Sequence, residues 1–322
     1  MYLGIDGGGT KTAFIIIDKK GLVYAQHEET TSYYIEIGLN GLKDLLIKGI
    51  QKTLNKANLT AEHIDFAFFG LPAYGEDSAV IEEITAIPSQ LIPASKYACG
   101  NDMIPGWASA LGCKDGINIV AGTGSIAYGE LNGATARCGG WSEIFSDEGS
   151  AHWIAKCGLA LFTKMSDGRL DKSPLYHLFK EHFQLSNDLD ICGIILNQWQ
   201  GSRSKIAQLS LLVSEAALAG DTLALDIFDQ AAQELALMIN STRLQLGYQE
   251  NEQVNVSYSG GVFNSKALIL SPLNKHLSAI STSFKLIEPK YQPVIGSALY
   301  AAKLDGYQYS LDCLNTLENN VN

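Results

Sequence analysis

Two glycine turns, each set between apolar strands, constrain the fold of this 322-residue chain more than any other feature. The first is Asp6-Gly7-Gly8-Gly9-Thr10-Lys11-Thr12, with strand signals at residues 3–6 before it and 12–18 after it. The second is Ala121-Gly122-Thr123-Gly124-Ser125, between strand signals at 117–121 and 125–130. A third strand follows each pair, at 21–26 and at 134–138. A helical pattern then begins, at about 39–57 in the first case, where Leu42, Leu45, Leu46, Ile50 and Leu54 share a face, and from about 148 in the second. Strand–strand–strand–helix therefore occurs twice, which predicts an α/β chain of two lobes with a cleft between them.

Between the two units the pattern reads as a strand at 64–70, a helix near 78–87, a strand at 96–99 and a helix at 103–111. Residues 148–248 read as largely helical. The clearest helix is 222–246, with Leu225, Phe228, Leu235, Met238, Ile239 and Leu246 on one face and Gly247 as its cap. A strand at 254–259 and a helix at 293–303 follow. The polar tail beyond 311 is expected to fray.

Apolar residues make up 46% and charged residues 18%, a globular composition. The net charge of −11 argues against a nucleic-acid-binding surface, and an anionic ligand would have to be held locally by backbone amides, a metal or a few cations. Six scattered cysteines without a C-x-x-C pair read as reduced thiols, not as a metal or iron–sulfur site. No secretory leader pattern opens the chain, and no run approaches the roughly 18 apolar residues of a membrane helix. No membrane partner is expected, and the expected location is the cytoplasm.

The turns suggest phosphate chemistry. Three glycines let the backbone offer N–H groups to an anion without Cβ obstruction. Thr10 and Thr12 add hydroxyls, Lys11 adds a cation, and Asp6 at the strand end can hold Mg²⁺ through water. A plain hairpin turn with glycines at positive φ would have the same composition. Neither a Walker loop nor a dinucleotide fingerprint fits, because a strand follows the turn. Gly122, Thr123 and Gly124 would enclose a triphosphate from the other side. Ser259-Gly260-Gly261-Val262, a strand end before a helix, would let an adenosine lie close to Gly260 and Gly261.

Asn101-Asp102 reads either as a helix N-cap pair or as a strand-end general base at Asp102. Cys138-Gly139-Gly140-Trp141 and Ser146-Asp147-Glu148-Gly149-Ser150-Ala151-His152-Trp153 form a second cluster. Asp147 and Glu148 would favour a helix start, and Trp141 could be core. An aromatic face beside a carboxylate is also how proteins grip sugars. His152 reads as a structural helix residue and the other five histidines as surface residues.

With these four motifs in order, the chain resembles the sugar kinase/actin/Hsp70 ATPases over nearly its whole length. Within them it is most similar to the BadF/BadG/BcrA/BcrD-type ATPase family, on its N-acetylglucosamine kinase branch. Gly139-Gly140-Trp141 and Asp147-Glu148-Gly149-Ser150-Ala151 carry that resemblance, with Gly296-Ser297-Ala298 near the last helix. It implies two ribonuclease-H-like lobes of the actin-like ATPase fold, 1–115 and 116–293, the second enlarged by helices. A terminal helix at about 294–312 would return to the first lobe.

The resemblance also implies ATP and Mg²⁺ as cofactors and an amino sugar as substrate. Asp102 would be the catalytic base, and Asp6 would act through the metal. Gly8, Gly9, Thr10, Lys11, Thr12, Gly122, Thr123 and Gly124 would hold the phosphates, with Gly260 and Gly261 at adenosine. Ser125, Gly124, Gly140, Trp141, Asp147 and Asp102 would line the sugar pocket. Relatives carry a sugar-binding Asn where this chain has Ser32 and Tyr33, and often Glu-Gly where it has Glu215-Ala216. The expected reaction is phosphorylation of N-acetylglucosamine at its 6-hydroxyl, with glucosamine or N-acetylmuramic acid as the alternative acceptor. An activator ATPase would need cluster-binding cysteines, whereas Asn118-Ile119-Val120 precede the second turn; a sugar sensor would usually add a DNA-binding domain. The resemblance leaves a homodimer open.

Overall fold

The computed structural model describes residues 1–281 and 283–321, which divide into two compact units. The first comprises Met1–Lys114 and Glu288–Asn322, the second Asp115–Ile287.

In the first unit Tyr2–Gly7 (β1) is the middle strand. It pairs antiparallel with Lys11–Ile17 (β2), which pairs antiparallel with Val23–Thr30 (β3). On its other side β1 runs parallel to Phe66–Leu71 (β4), and β4 parallel to Tyr97–Asn101 (β5). The order is β3-β2-β1-β4-β5. A strand in this position is covered on both faces, which is why β1 reads as an unbroken apolar run. Leu3 and Ile5 pack beneath the helix Tyr34–Ala57, while Tyr2 packs with the helix Pro293–Leu304. That second helix approaches at backbone contact. A Cβ on Gly4 would lie 2.4 Å from the Ala298 nitrogen, and one on Gly296 would lie 2.1 Å from the Pro105 carbonyl oxygen. Ser297 donates its hydroxyl to the Ile5 carbonyl at 2.8 Å.

The second unit repeats the topology. Gly116–Ala121 (β6), Ser125–Leu131 (β7) and Ala134–Gly139 (β8) form an antiparallel meander, with Val254–Ser259 (β9) parallel to β6 and Phe284–Ile287 (β10) parallel to β9. The order is β10-β9-β6-β7-β8. Helices between β8 and β9 build most of its core. The longest, Thr222–Leu246, opens where the Asp221 carboxylate accepts from Leu223 and Ala224 N–H and closes at Gly247 with φ 81°.

Several expectations are corrected. β3 extends to Thr30 because it is an edge strand, whose charged His27-Glu28-Glu29 stretch alternates half-buried and exposed positions. The first helix begins at Tyr34, five residues early, with a break at Gly38 (φ 72°). Leu225 is 40% exposed and not on the buried face of its helix. The helix Lys266–Ile280 contains Pro272, a residue that argues against a helix interior, and it went unread with β10 beyond it. The tail does not fray: Leu311–Val321 is helical and Leu317 is fully buried. Among the described residues no helix is long and apolar enough to cross a membrane.

Candidate active site

Because β1, β4 and β5 are parallel, their carboxyl ends face one way, and both Asp6 and Asp102 sit there. Asp102 precedes the helix Met103–Leu111 but makes no side-chain cap bond; Asn101 Oδ1 accepts the Met103 N–H at 3.1 Å instead. The Asp102 carboxylate is therefore not spent on the cap. Burial, with the Glu76 charge, raises its pKa to about 6, and the N–H groups of Asp102 and Met103 offset this only in part. Asp6 rises further, to about 8, through burial and then the Asp102 charge, with Lys11 pulling the other way. A cavity of about 330 Å³ opens beside Asp6, lined in part by Lys11, Gln26, Glu28 and Pro293.

The first turn is not a positive-φ hairpin, since none of Gly7, Gly8 or Gly9 has positive φ. Gly7 is fixed by space: a Cβ there would lie 2.4 Å from Ser32 Oγ and 2.9 Å from the Gly70 carbonyl oxygen. Thr31 braces the turn by donating its hydroxyl to the Gly8 carbonyl at 3.0 Å. Gly9, Thr10 and Lys11 are exposed, and Lys11 pairs with Glu28 at 2.5 Å. Thr12 is buried with its hydroxyl donated to the Thr30 carbonyl at 2.8 Å, so it serves the sheet. Ser32 is buried and its Oγ has no hydrogen-bond partner, while Tyr33 beside it is half-buried.

In the second unit the Gly122–Ser125 turn is stitched to the helix Ala151–Ser166. Ala151 N–H donates to the Gly122 carbonyl at 2.8 Å, His152 N–H to Thr123 at 3.4 Å, and Ser125 Oγ to Glu148 at 2.6 Å. The Gly260 turn lies directly on it. With φ 101°, Gly260 would place a Cβ 2.4 Å from the Ala121 carbonyl oxygen and 2.8 Å from the Gly122 nitrogen. The parallel register Val120↔Ser259 brings the two turns together. At Gly9, Gly122 and Gly261, one in each turn, φ is not positive and a Cβ would meet nothing within 4 Å. Neither backbone conformation nor packing requires glycine at these three positions.

Gly139 and Gly140 have φ of 79° and 69°, and the chain then turns out at Trp141, which is 69% exposed and so not core. Arg137 donates to the Gly139 and Gly140 carbonyls at 3.2 and 3.0 Å and lies 5.5 Å from the Trp141 ring. Asp147 has φ 62°, is 2% exposed and accepts from Arg203 at 2.5 Å. Burial raises its pKa and Arg203 opposes the rise most strongly. His152 is a buried helix residue, as expected. His27 is not a surface residue: it bonds Glu29 at 2.8 Å and packs on Phe14. Arg203, Glu143 and Glu76 escaped the sequence reading because each acts through a partner that only the fold brings near, and Arg137 because nothing in the sequence shows that it turns back on the Gly139-Gly140-Trp141 segment beside it.

Two five-stranded sheets of corresponding order, with glycine turns at corresponding strand junctions, define the actin-like ATPase fold. The model of the BadF/BadG/BcrA/BcrD ATPase family matches residues 3–301, and the chain belongs to that family. It is 28% identical over 313 residues to an N-acetyl-D-glucosamine kinase of Dictyostelium discoideum, covering 94% of this chain and 97% of that protein. It is also 28% identical to an N-acetylmuramic acid/N-acetylglucosamine kinase of Clostridium acetobutylicum, over 93% and 97% of the two chains. A Chromobacterium violaceum structure provisionally called an N-acetylglucosamine kinase superposes with a TM-score of 0.71 at 22% identity, covering 93% of this chain and 98% of that one.

Proposed function

We propose that this chain is an ATP-dependent amino-sugar kinase that transfers the γ-phosphoryl group of ATP to the 6-hydroxyl of N-acetylglucosamine, with Asp102 as general base. The observation that carries the reading is the Asp102 carboxylate, which lies at the carboxyl end of β5, makes no side-chain cap bond to the helix it precedes, and has a pKa near 6. A phosphoryl-transfer base needs little strength, since it accepts the hydroxyl proton late, but it must be ionised and within reach.

The glycines at 9, 122 and 261 support the nucleotide half of the reading, because close approach of a ligand to the backbone explains what packing does not. Gly8, Gly9, Thr10, Lys11, Gly122, Thr123 and Gly124 would hold the phosphates, and Gly260 and Gly261 the adenosine. Thr12 contributes through the sheet, its hydroxyl being engaged. Trp141 and Asp147 would hold the sugar, with Ser125 and Gly140 beside them and Ser32 or Tyr33 replacing the usual Asn. The Clostridium relative, named for two sugars, keeps N-acetylmuramic acid as a second acceptor to test.

Asp6 fits a magnesium ion. Burial and the neighbouring Asp102 charge make Asp6 costly to ionise, a cost that a divalent cation relieves, and Mg²⁺ ordinarily takes only one or two protein carboxylates. When bound, the ion would supply charge neutralisation on the transferred phosphate. Asp102→Asn is expected to lower kcat at least ~100-fold with ATP affinity near wild type, measured by coupled ADP release and nucleotide titration. Unchanged turnover would place the base elsewhere.

A further inference from the structure

Arg203 lies outside every sequence motif, 56 positions after Asp147, yet its guanidinium meets two of them. Nη2 bonds Asp147 Oδ2 at 2.5 Å, and Nε stands 3.3 Å from Glu143 Oε2. A Cβ on Gly124 would lie 2.3 Å from the same Nη2 and 2.7 Å from the same Oδ2. The ion pair thus fills the space that a side chain at position 124 would need. This gives the second glycine of the Gly-Thr-Gly-Ser turn a reason distinct from that of Gly122.

Asp147 needs such support. Its φ of 62° is rare for a residue with a Cβ and persists only where the surroundings over-determine it. Its side chain is 3% exposed, whereas that of Arg203 is 41% exposed, so the guanidinium covers the carboxylate on one side. Arg203 and the Ser125 N–H are its donors, and a carboxylate can accept about four hydrogen bonds. Glu143 is the other charge facing it; on the helix packed against the turn, Lys156 donates to the Glu143 carbonyl and His152 feels the charges of Lys156, Glu143 and Arg203.

We infer that Arg203 is a positioning residue that holds Asp147 oriented against the Gly124–Ser125 turn as an acceptor for sugar hydroxyls. The inference rests on reading Asp147 as a sugar contact. Without the guanidinium, a buried carboxylate beside Glu143 takes up a proton and loses acceptor capacity. Sugar affinity then falls, while the phosphate-holding backbone and Asp102 are untouched.

The test compares wild type, R203M and R203K by initial rates with ATP and N-acetylglucosamine from about pH 5.5 to 8.5. R203M should raise the sugar KM ~10-fold or more, with kcat and the ATP KM within ~3-fold. The acid limb of kcat/KM for sugar should move to higher pH, and R203K should recover part of both effects. G124A should also raise the sugar KM, with an effect of its own on the ATP KM because Gly124 faces the phosphates in this reading, and R203M with G124A together should cost less in sugar KM than the product of the two. R203K serves if R203M does not fold. An unchanged sugar KM and pH limb overturn the inference, and so does a loss confined to kcat or the ATP KM, which would make Arg203 a phosphate contact. If wild type phosphorylates no amino sugar, the kinase reading fails instead. A ¹³C titration of Asp147, assigned with D147N, then decides the matter: a higher pKa in R203M supports the pairing role and an equal one refutes it.

Discussion

At the proposed reaction centre, burial of Asp6 and Asp102 would trade stability for chemistry. Asp102 must be ionised to act as a base, so kcat/KM should fall as pH drops below about 6 and be level above it. Replacing Asp102 should abolish that limb in the residual activity. Stability runs the other way. Both carboxyls have folded pKa values above the unfolded value of about 4, so the native state binds more protons than the unfolded chain between pH 4 and about 8. Their ionisation therefore destabilises the fold progressively as pH rises through that window. Without metal, Asp6→Asn should raise the melting temperature at pH 8 and give no gain at pH 4, measured by thermal melts at both. An equal gain at both pH values would show that ionisation is not the cause. Asp6 and Asp102 were legible because each ends a strand signal in a distinctive motif. Arg203 was not, since its meaning is supplied by a partner 56 residues away.

At the scale of elements, legibility followed periodicity and punctuation. Met103–Leu111 and Thr222–Leu246 were readable to the residue, the latter because its apolar face ends at a capping glycine. Lys266–Ile280 was hidden by Pro272, and β10 by its four-residue length. The C-terminal helix was hidden by its polarity, although Leu317 anchors it. Leu317→Ala should therefore destabilise the protein by ~2–5 kcal/mol, as read from chemical denaturation. An effect below ~0.5 kcal/mol, usual for exposed positions, would mean that the helix is not docked. The contact between the second and third turns makes a sharper prediction. Gly260→Ala sets a Cβ 2.4 Å from the Ala121 carbonyl oxygen at a φ of 101°, so the turns must separate. ATP affinity should fall at least ~10-fold, measured by nucleotide titration, with a lowered melting temperature. Native affinity would mean that Gly260 plays no part in holding nucleotide.

Over the whole molecule, the duplication was the most legible property. Each unit carries the same five-strand order with a glycine turn at its first hairpin, and the chain passes between units at 114–115 and again at 287–288. The net charge of −11 gives no global attraction for a nucleotide, which leaves recognition to local backbone amides and a few cations. Sugar identity was the least legible property, since Ser32, Tyr33 and Trp141, the residues proposed to shape the pocket, do not name its occupant. Trp141→Ala should raise the sugar KM more than it lowers kcat, whereas an unchanged KM would remove the ring from the sugar contact. The most direct measurement is ADP release by the purified protein with Mg²⁺-ATP and, separately, N-acetylglucosamine, N-acetylmuramic acid, glucosamine or no sugar, with the product located by NMR. Strict dependence on an amino sugar, and phosphate on O6 of N-acetylglucosamine, are expected. ADP released equally without sugar, or no turnover with any of the three, contradicts the assignment as an amino-sugar kinase.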